Sequence, residues 1–274
     1  MQRRGLALSS KTERTLSGRS SEGARRRILQ EMKTLSGIVF VLFVWYLLHL
    51  LFPSSLILPG PLETFKVLVE TMNRETLEAF LSTLWKGALS TVVVIAVGLP
   101  VGFLMGTSDR VYEFLRPVIT VIQAVPVISW LAVVIFLWGI GWQGPVVISI
   151  LSLLPVAIFT TVSGVRSVDR KLVEVMRVYR VPRTKVLKEV YLGSLWPFVL
   201  SILEVSSGNV WKAIVMAEYL CGDRGLGVLI SWARQYVDVP RVYALTIFTV
   251  ALGISFERLV KVLTGRMWRR WRLS

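Results

Sequence analysis

The sequence predicts an all-α integral membrane protein with six transmembrane helices, and three observations carry that prediction. Of 274 residues, 54% are hydrophobic and ten are Trp, with a mean hydropathy of +0.62, which is too apolar for a soluble domain of this length. Six windows of roughly 20 residues, the helical length that crosses about 30 Å of hydrocarbon, are almost free of charge. The formal charge of +15 is held in the connecting segments, and unevenly.

Residues 1–34 are basic, rich in Ser, Thr and Gly, and lack an apolar run, so they read as a disordered tail. Residues 35–80 hold the first span, about 36 to 52 (SGIVFVLFVWYLLHLLF), followed by an outer segment broken at Pro53, Pro59 and Pro61, in which Leu62, Phe65, Leu68 and Val69 share one helical face. Residues 81–264 form the core, with spans at about 87 to 106, 117 to 138, 145 to 163, 194 to 218 and 243 to 262, and 265–274 is a basic end. With the N-terminus in the cytoplasm, the inner segments carry 25 basic residues. The outer segments carry six, Lys66, Arg74, Lys86, Arg224, Arg234 and Arg241. That asymmetry predicts a multi-pass protein of the cytoplasmic (inner) membrane with both termini inside. Arg266, Arg269, Arg270 and Arg272 are expected on anionic lipid headgroups, with Trp268 and Trp271 at the interface. The basic charge is spread over every inner loop and no nucleic-acid-binding fold remains, so nucleic acid is not an expected partner.

One Cys and one His exclude a disulfide framework, a Cys-based zinc site and any multi-histidine metal site within this chain. No G-x-x-x-x-G-K-[ST] loop occurs, so the chain is not expected to bind or hydrolyse ATP. Cys221 has no nearby base, and His49 lies alone in an apolar helix and reads as structural. An intramembrane enzyme lacks its Ser-His, Asp-Asp or HExxH constellation.

The inner loop 164–193 has apolar residues at helical spacing. Asp169 can cap a helix with Leu172, Val175, Met176 and Tyr179 on one face. Pro182 should end it and start a second helix to about 191, with Val186, Leu187 and Val190 together. The apolar face with a rim of Arg177, Arg183, Lys185 and Lys188 suits either a groove on a soluble partner or a lipid surface.

The run from Glu174 through Gly193 resembles the "EAA" loop of binding-protein-dependent ABC importer permeases. Glu174 stands at the motif's Glu, Val190 at its Ile and Leu192 at its Leu. The likeness extends over about 80 to 264, through Arg116-Pro117, Ala124-Val-Pro126, Thr161 to Asp169, Ala217-Glu218 and Gly225-Leu-Gly227, and is nearest to the nitrate, sulfonate and taurine branch. It departs at Arg180, where the family has Gly, and at Gly193, where it has Pro. A side chain at that corner costs about 1 kcal/mol if the left-handed conformation is kept. The resemblance implies a type I importer permease fold with a cytoplasmic coupling helix. It also implies a second copy of the chain, an extracytoplasmic solute-binding protein, and a separate ATPase subunit that binds ATP and Mg. The ATPase-coupling residues are then expected to be Glu174, Arg177, Tyr179, Arg180, Val181, Pro182, Arg183 and Val186. The competing class is a stand-alone secondary transporter or channel.

The fifth span holds most of the polar residues placed in the membrane. At 100° per residue Glu204, Ser207, Trp211 and Glu218 fall within about 60°, a stripe that should face protein or water, and Lys212 lies roughly 80° from Glu204. A midplane carboxylate facing lipid costs about 2.5 to 3.5 kcal/mol or more. Glu204, Ser207, Asn209, Trp211, Lys212 and Glu218 are therefore the substrate-pathway candidates. Alternatives remain: Glu204 protonated or paired between helices, Lys212 snorkelling outward, and Glu218 packing helices.

Overall fold

The computed structural model describes residues 32, 36–37, 39–52, 54, 56–168, 174–176, 178–179, 181–182 and 193–273, and its backbone contacts divide the chain into two units, Met1–Thr64 and Phe65–Ser274. In the first, α1 (Val39–Leu51) is apolar around its circumference, as a helix meant for hydrocarbon is. The chain beyond Pro53 folds back on it. Trp45 Nε1 donates to the Pro59 carbonyl at 3.2 Å, and His49 Nδ1 lies 2.8 Å from the Leu58 carbonyl. His49 thus ties down a turn. Helix α2 (Pro61–Thr71) crosses the unit boundary and leaves Leu62, Phe65 and Val69 exposed.

The second unit continues with α3 (Arg74–Thr107), α4 (Asp109–Ala124), α5 (Val127–Trp138), α6 (Gln143–Arg166), α7 (Gly193–Cys221), α8 (Leu226–Gln235) and α9 (Val239–Leu273). Among the described residues α3, α6, α7 and α9 are long and apolar enough to cross a membrane, and α4 with α5 makes a fifth span if the pair counts as one.

That pair departs from the sequence reading. The expected straight span at 117 to 138 is bent by 89° between α4 and α5. Pro126 lacks an N–H and drives Val125 out of the helical region, to φ −68° and ψ 125°. Pro100, Pro117, Pro155 and Pro197 all stay within helices, so the break belongs to Pro126 and its surroundings.

Helix α3 also begins 13 residues before the predicted span. Asn73 caps it by accepting the Thr76 N–H at 2.9 Å, so the segment assigned to an outer connection is its first turns. Its glycines Gly98, Gly102 and Gly106 press on Ala157, Thr161 and Val165 of α6; a Cβ on Gly102 would stand 2.5 Å from Thr161 Cβ. This is small-residue packing at a four-residue interval, which lets two backbones approach closely.

Helix α7 joins three of the four apolar clusters. Ile202, Val210 and Ile214 meet Val94, Leu153 and Ala157. Ala217 and Cys221 meet Leu131, Val134 and Ile148, while Trp211 meets Ala79, Leu226 and Leu245. Cys221, expected in an outer loop, is the last residue of α7 and is buried.

The bundle has two distinct ends. At one, the loop end, Arg166 pairs with Asp109 at 2.9 Å and lies 4.1 Å from the centre of the Tyr112 ring. Of the predicted coupling residues, Glu174 begins a helical turn, Tyr179 is 79% exposed, as is its neighbour Val178, and the Val181 N–H donates to the Met176 carbonyl at 3.0 Å before Pro182. Arg177, Arg180, Arg183 and Val186 lie outside the described residues. The opposite end gathers Trp85, Trp142 and Trp232 and is called the tryptophan end below.

Candidate functional site

The polar residues of α7 divide between two opposed faces. Ser207, Trp211 and Glu218 are buried inside the subunit, so the predicted stripe faces protein. Each is satisfied there. Ser207 donates to the Glu204 carbonyl at 2.8 Å. The Trp211 indole donates to the Thr249 carbonyl at 3.0 Å, and its ring lies between Phe80 and Phe256, with centroids 6.3 and 6.2 Å away. Roughly 140° around the helix, at about 100° per residue, runs an open face of Ser201, Val205, Asn209, Lys212, Met216 and Leu220, all exposed. Asn209 and Lys212 therefore stand apart from the other pathway candidates.

Glu204 is half-buried at the border of the two faces. Its carboxylate accepts the Thr264 hydroxyl of α9 at 2.5 Å. One turn earlier on α9, Lys261 binds Glu257 at 2.6 Å, and Gly208 of α7 leaves room for that carboxylate, since a Cβ there would stand 3.2 Å from Glu257 Oε2. Acid and base thus alternate along the seam between α7 and α9.

Glu218 closes the tryptophan end of α7. It accepts Lys86 Nζ at 2.9 Å, the Thr83 hydroxyl at 2.8 Å and the Gly227 N–H at 3.2 Å. Lys86 also donates to the Arg224 carbonyl, and Thr83 Oγ1 accepts the Leu226 N–H at 3.0 Å. Both charged side chains are essentially inaccessible, 1% for Lys86 and 0% for Glu218. The backbone is shaped for the carboxylate. Gly225 holds φ +131°, where a side chain is strained, and a Cβ there would overlap the Glu218 carboxylate; a Cβ on Gly227 would overlap the Val215 carbonyl. Gly225-Leu-Gly227 is therefore a cradle for Glu218, connecting α3, α7 and α8.

The sequence reading counted Lys86 among outer loop charges, and the structure corrects this. Thr83 and Lys86 are one turn apart on the same face of α3, which was the available signal; the partner lies 132 residues away.

Directly above this pair opens a cleft of about 1030 Å³. Trp85 and Trp142 form its wall, with ring centroids 5.6 Å apart, Trp232 stands among the lining residues, and Glu75, Glu78 and Asp223 outnumber Arg224 on its rim.

Comparison with known proteins agrees with this architecture. The family described as "Binding-protein-dependent transport system inner membrane component" matches residues 98–269. The putative aliphatic sulfonates transport permease protein SsuC of Bacillus subtilis (strain 168) is 27% identical, over 81% of this chain and 80% of that protein. The taurine transport system permease protein TauC of Escherichia coli (strain K12) is 26% identical, over 84% of this chain and 87% of its own. A solved structure of the MetNI methionine ABC transporter in inward-facing conformations shares the fold, with a TM-score of 0.60 at 16% identity, covering 72% of this chain and 96% of that one. The protein belongs to the binding-protein-dependent inner-membrane component family and is a permease subunit of an ABC importer, in the nitrate, sulfonate and taurine branch.

Proposed function

We propose that two copies of this chain line a solute path between the open faces of their α7 helices, each copy with six spans once α1 and the bent α4–α5 pair are counted. The carrying observation is that α7, embedded in three apolar clusters, leaves Asn209 and Lys212 exposed near the middle of a membrane-crossing helix. A lipid-facing lysine there is costly, which favours water or a second subunit opposite it. Glu204, at the edge of the same face, belongs to this path.

The excess of basic residues supports a topology with the loop end and both termini in the cytoplasm of a cell with an inner membrane, and the tryptophan end outside. A separate ATPase subunit, holding ATP and Mg, docks on 170 to 191, where Val178 and Tyr179 offer exposed apolar surface. Its closure moves that segment and alternates access to the path. The cleft at the tryptophan end is the docking face for a solute-binding protein. Sulfonates and taurine, the solutes named for the two relatives, are the first to try; vitamin precursors are the next.

The test is to purify the chain with its ATPase subunit and binding protein and to screen solutes for stimulated ATP hydrolysis. Replacing Arg180, Pro182 and Arg183 together should leave hydrolysis running without transport; full retained coupling would reject the docking segment. Solute flux through the chain without any ATPase would instead indicate a stand-alone transporter. Glu204→Gln keeps the hydrogen bond to Thr264 and removes the charge, so uptake should change while assembly does not; unaltered uptake removes Glu204 from the path.

A further inference from the structure

We propose that the cleft at the tryptophan end binds one zwitterionic phospholipid, with the lipid's ammonium against Asp223 and the tryptophans and its phosphate against Arg224. The inference goes beyond the docking role given to this end above: the bound head would become part of the face that the binding protein meets. It rests on α3 crossing the bilayer, whichever end of α3 is outside.

Depth is the first argument. Trp85 stands two residues before the apolar window that opens at about residue 87, where an interfacial tryptophan belongs. Asp223 lies at the same level, since it is 4.0 Å from Lys86, the next residue after Trp85. Glu75 and Glu78 stand about two to three turns further out along α3. The cleft of about 1030 Å³ therefore opens where headgroups lie, and it has the size of a small-molecule site.

The wall of the cleft supplies the second argument, because it continues towards the hydrocarbon. Leu81, Trp85 and Ala88 line the cleft, and Val92 follows them one turn below; all four are exposed at three- and four-residue steps, which puts them on one stripe of α3. The solute path proposed above uses the open face of α7 and leaves this stripe of α3 to lipid. Acyl chains can lie along it while the head fills the cleft. A ligand without a tail would leave the stripe unused.

Charge decides the kind of head. Arg224 has no carboxylate within 4.0 Å among the described residues, and the nearest cation to Asp223 is Lys86 at 4.0 Å, held more closely by Glu218 at 2.9 Å. Asp223 and Arg224 are adjacent in sequence but not paired with each other, so the cleft offers an acid and a base side by side. On the rim Glu78 is paired with Arg74 at 2.9 Å, and Glu75 adds a further carboxylate. An anionic head would use Arg224 and meet like charge at Asp223, whereas a zwitterionic head uses both. Trp85 and Trp142, with centroids 5.6 Å apart, and Trp232 provide ring faces that attract an ammonium.

The test uses the chain purified in detergent with its ATPase subunit. Phosphatidylethanolamine, phosphatidylcholine and phosphatidylglycerol with the same acyl chains are added in equal amounts, and retained lipid is counted by native mass spectrometry. One lipid per copy of the chain should be held, with the two ammonium lipids favoured over phosphatidylglycerol. Asp223→Asn and Trp142→Ala should each lower that preference about fivefold. Arg224→Gln should reduce retention of all three lipids alike, and Glu70→Gln, an exposed carboxylate outside the cleft, should change nothing. Retention of phosphatidylglycerol as strong as that of the ammonium lipids would overturn the proposal, as would a preference unmoved by Asp223→Asn and Trp142→Ala. Displacement of the lipid by an equal concentration of tail-less phosphocholine would overturn it in favour of a soluble ligand, and a cleft holding no lipid would overturn it in favour of a second copy or α1 as its cover. Stimulation of ATP hydrolysis by the binding protein is read separately on the same complex: its loss with lipid still retained counts against the docking face and not against this site.

Discussion

Removing Lys86 should destabilise this protein more than any exposed charge does. In Lys86→Met the Glu218 carboxylate keeps two neutral donors, the Thr83 hydroxyl at 2.8 Å and the Gly227 N–H at 3.2 Å, but loses the ammonium that stood at 2.9 Å in a site closed to solvent. Breaking a buried pair by deleting one partner costs about 3 to 5 kcal/mol, because the survivor stays desolvated and uncompensated. Glu218→Gln strands the ammonium instead, with the Arg224 carbonyl and with Asp223 at 4.0 Å. At about 2 to 4 °C per kcal/mol for a chain of this size, each single substitution should lower the melting temperature by roughly 6 to 20 °C. Lys86→Met with Glu218→Gln removes both charges, and should recover about 2 kcal/mol or more relative to the sum of the singles. The assay is thermal unfolding of the purified protein in nanodiscs, followed by intrinsic Trp fluorescence. Single substitutions that each move the midpoint by less than about 2 °C, or a double that equals their sum, would refute the account of this pair as a coupled buried unit.

Two further predictions follow from backbone geometry. Gly102→Val sets a branched side chain where even a Cβ would stand 2.5 Å from Thr161, so α3 and α6 must separate; monodisperse protein should be lost on size exclusion, whereas Gly265→Ala, with open space around it, should behave as the parent does. Val237, between α8 and α9, holds φ 58°, a left-handed conformation that costs a β-branched residue about 1 to 2 kcal/mol. Val237→Gly should therefore raise the melting temperature by roughly 2 to 4 °C in the same assay.

Much of this architecture was legible in the sequence because hydrocarbon imposes a length. The runs at 145 to 163 and 243 to 262 reappear within α6 and α9, and the run at 194 to 218 within α7. A window that ends a span at each charge fails where the charge has a distant partner, and Lys86 is the case: its position in α3 makes sense only with Glu218, which no local pattern reveals. Helical-angle arithmetic grouped Glu204, Ser207, Trp211 and Glu218 on one side, but it cannot tell the inside of a subunit from a path. The contacts that this side makes, the Thr249 carbonyl with the Trp211 indole N–H and the Thr264 hydroxyl with Glu204, both come from α9, which no pattern within α7 reveals. Pro126 was read as lying inside one span, 117 to 138, and the bend there was not foreseen. Its neighbours in sequence, Pro117 and Pro155, sit in helices that continue, so proline alone did not say which span would bend.

Where Gly98, Gly102 and Gly106 meet α6, nothing wider than a hydrogen separates the two rods. Such a seam works as a keel: shifting one rod along the other by a single residue would drive Thr161 or Val165 into a neighbouring side chain on α3. Whatever stroke the subunit makes must carry these two helices as one body. The 89° elbow at Pro126, between α4 and α5, lies outside that seam.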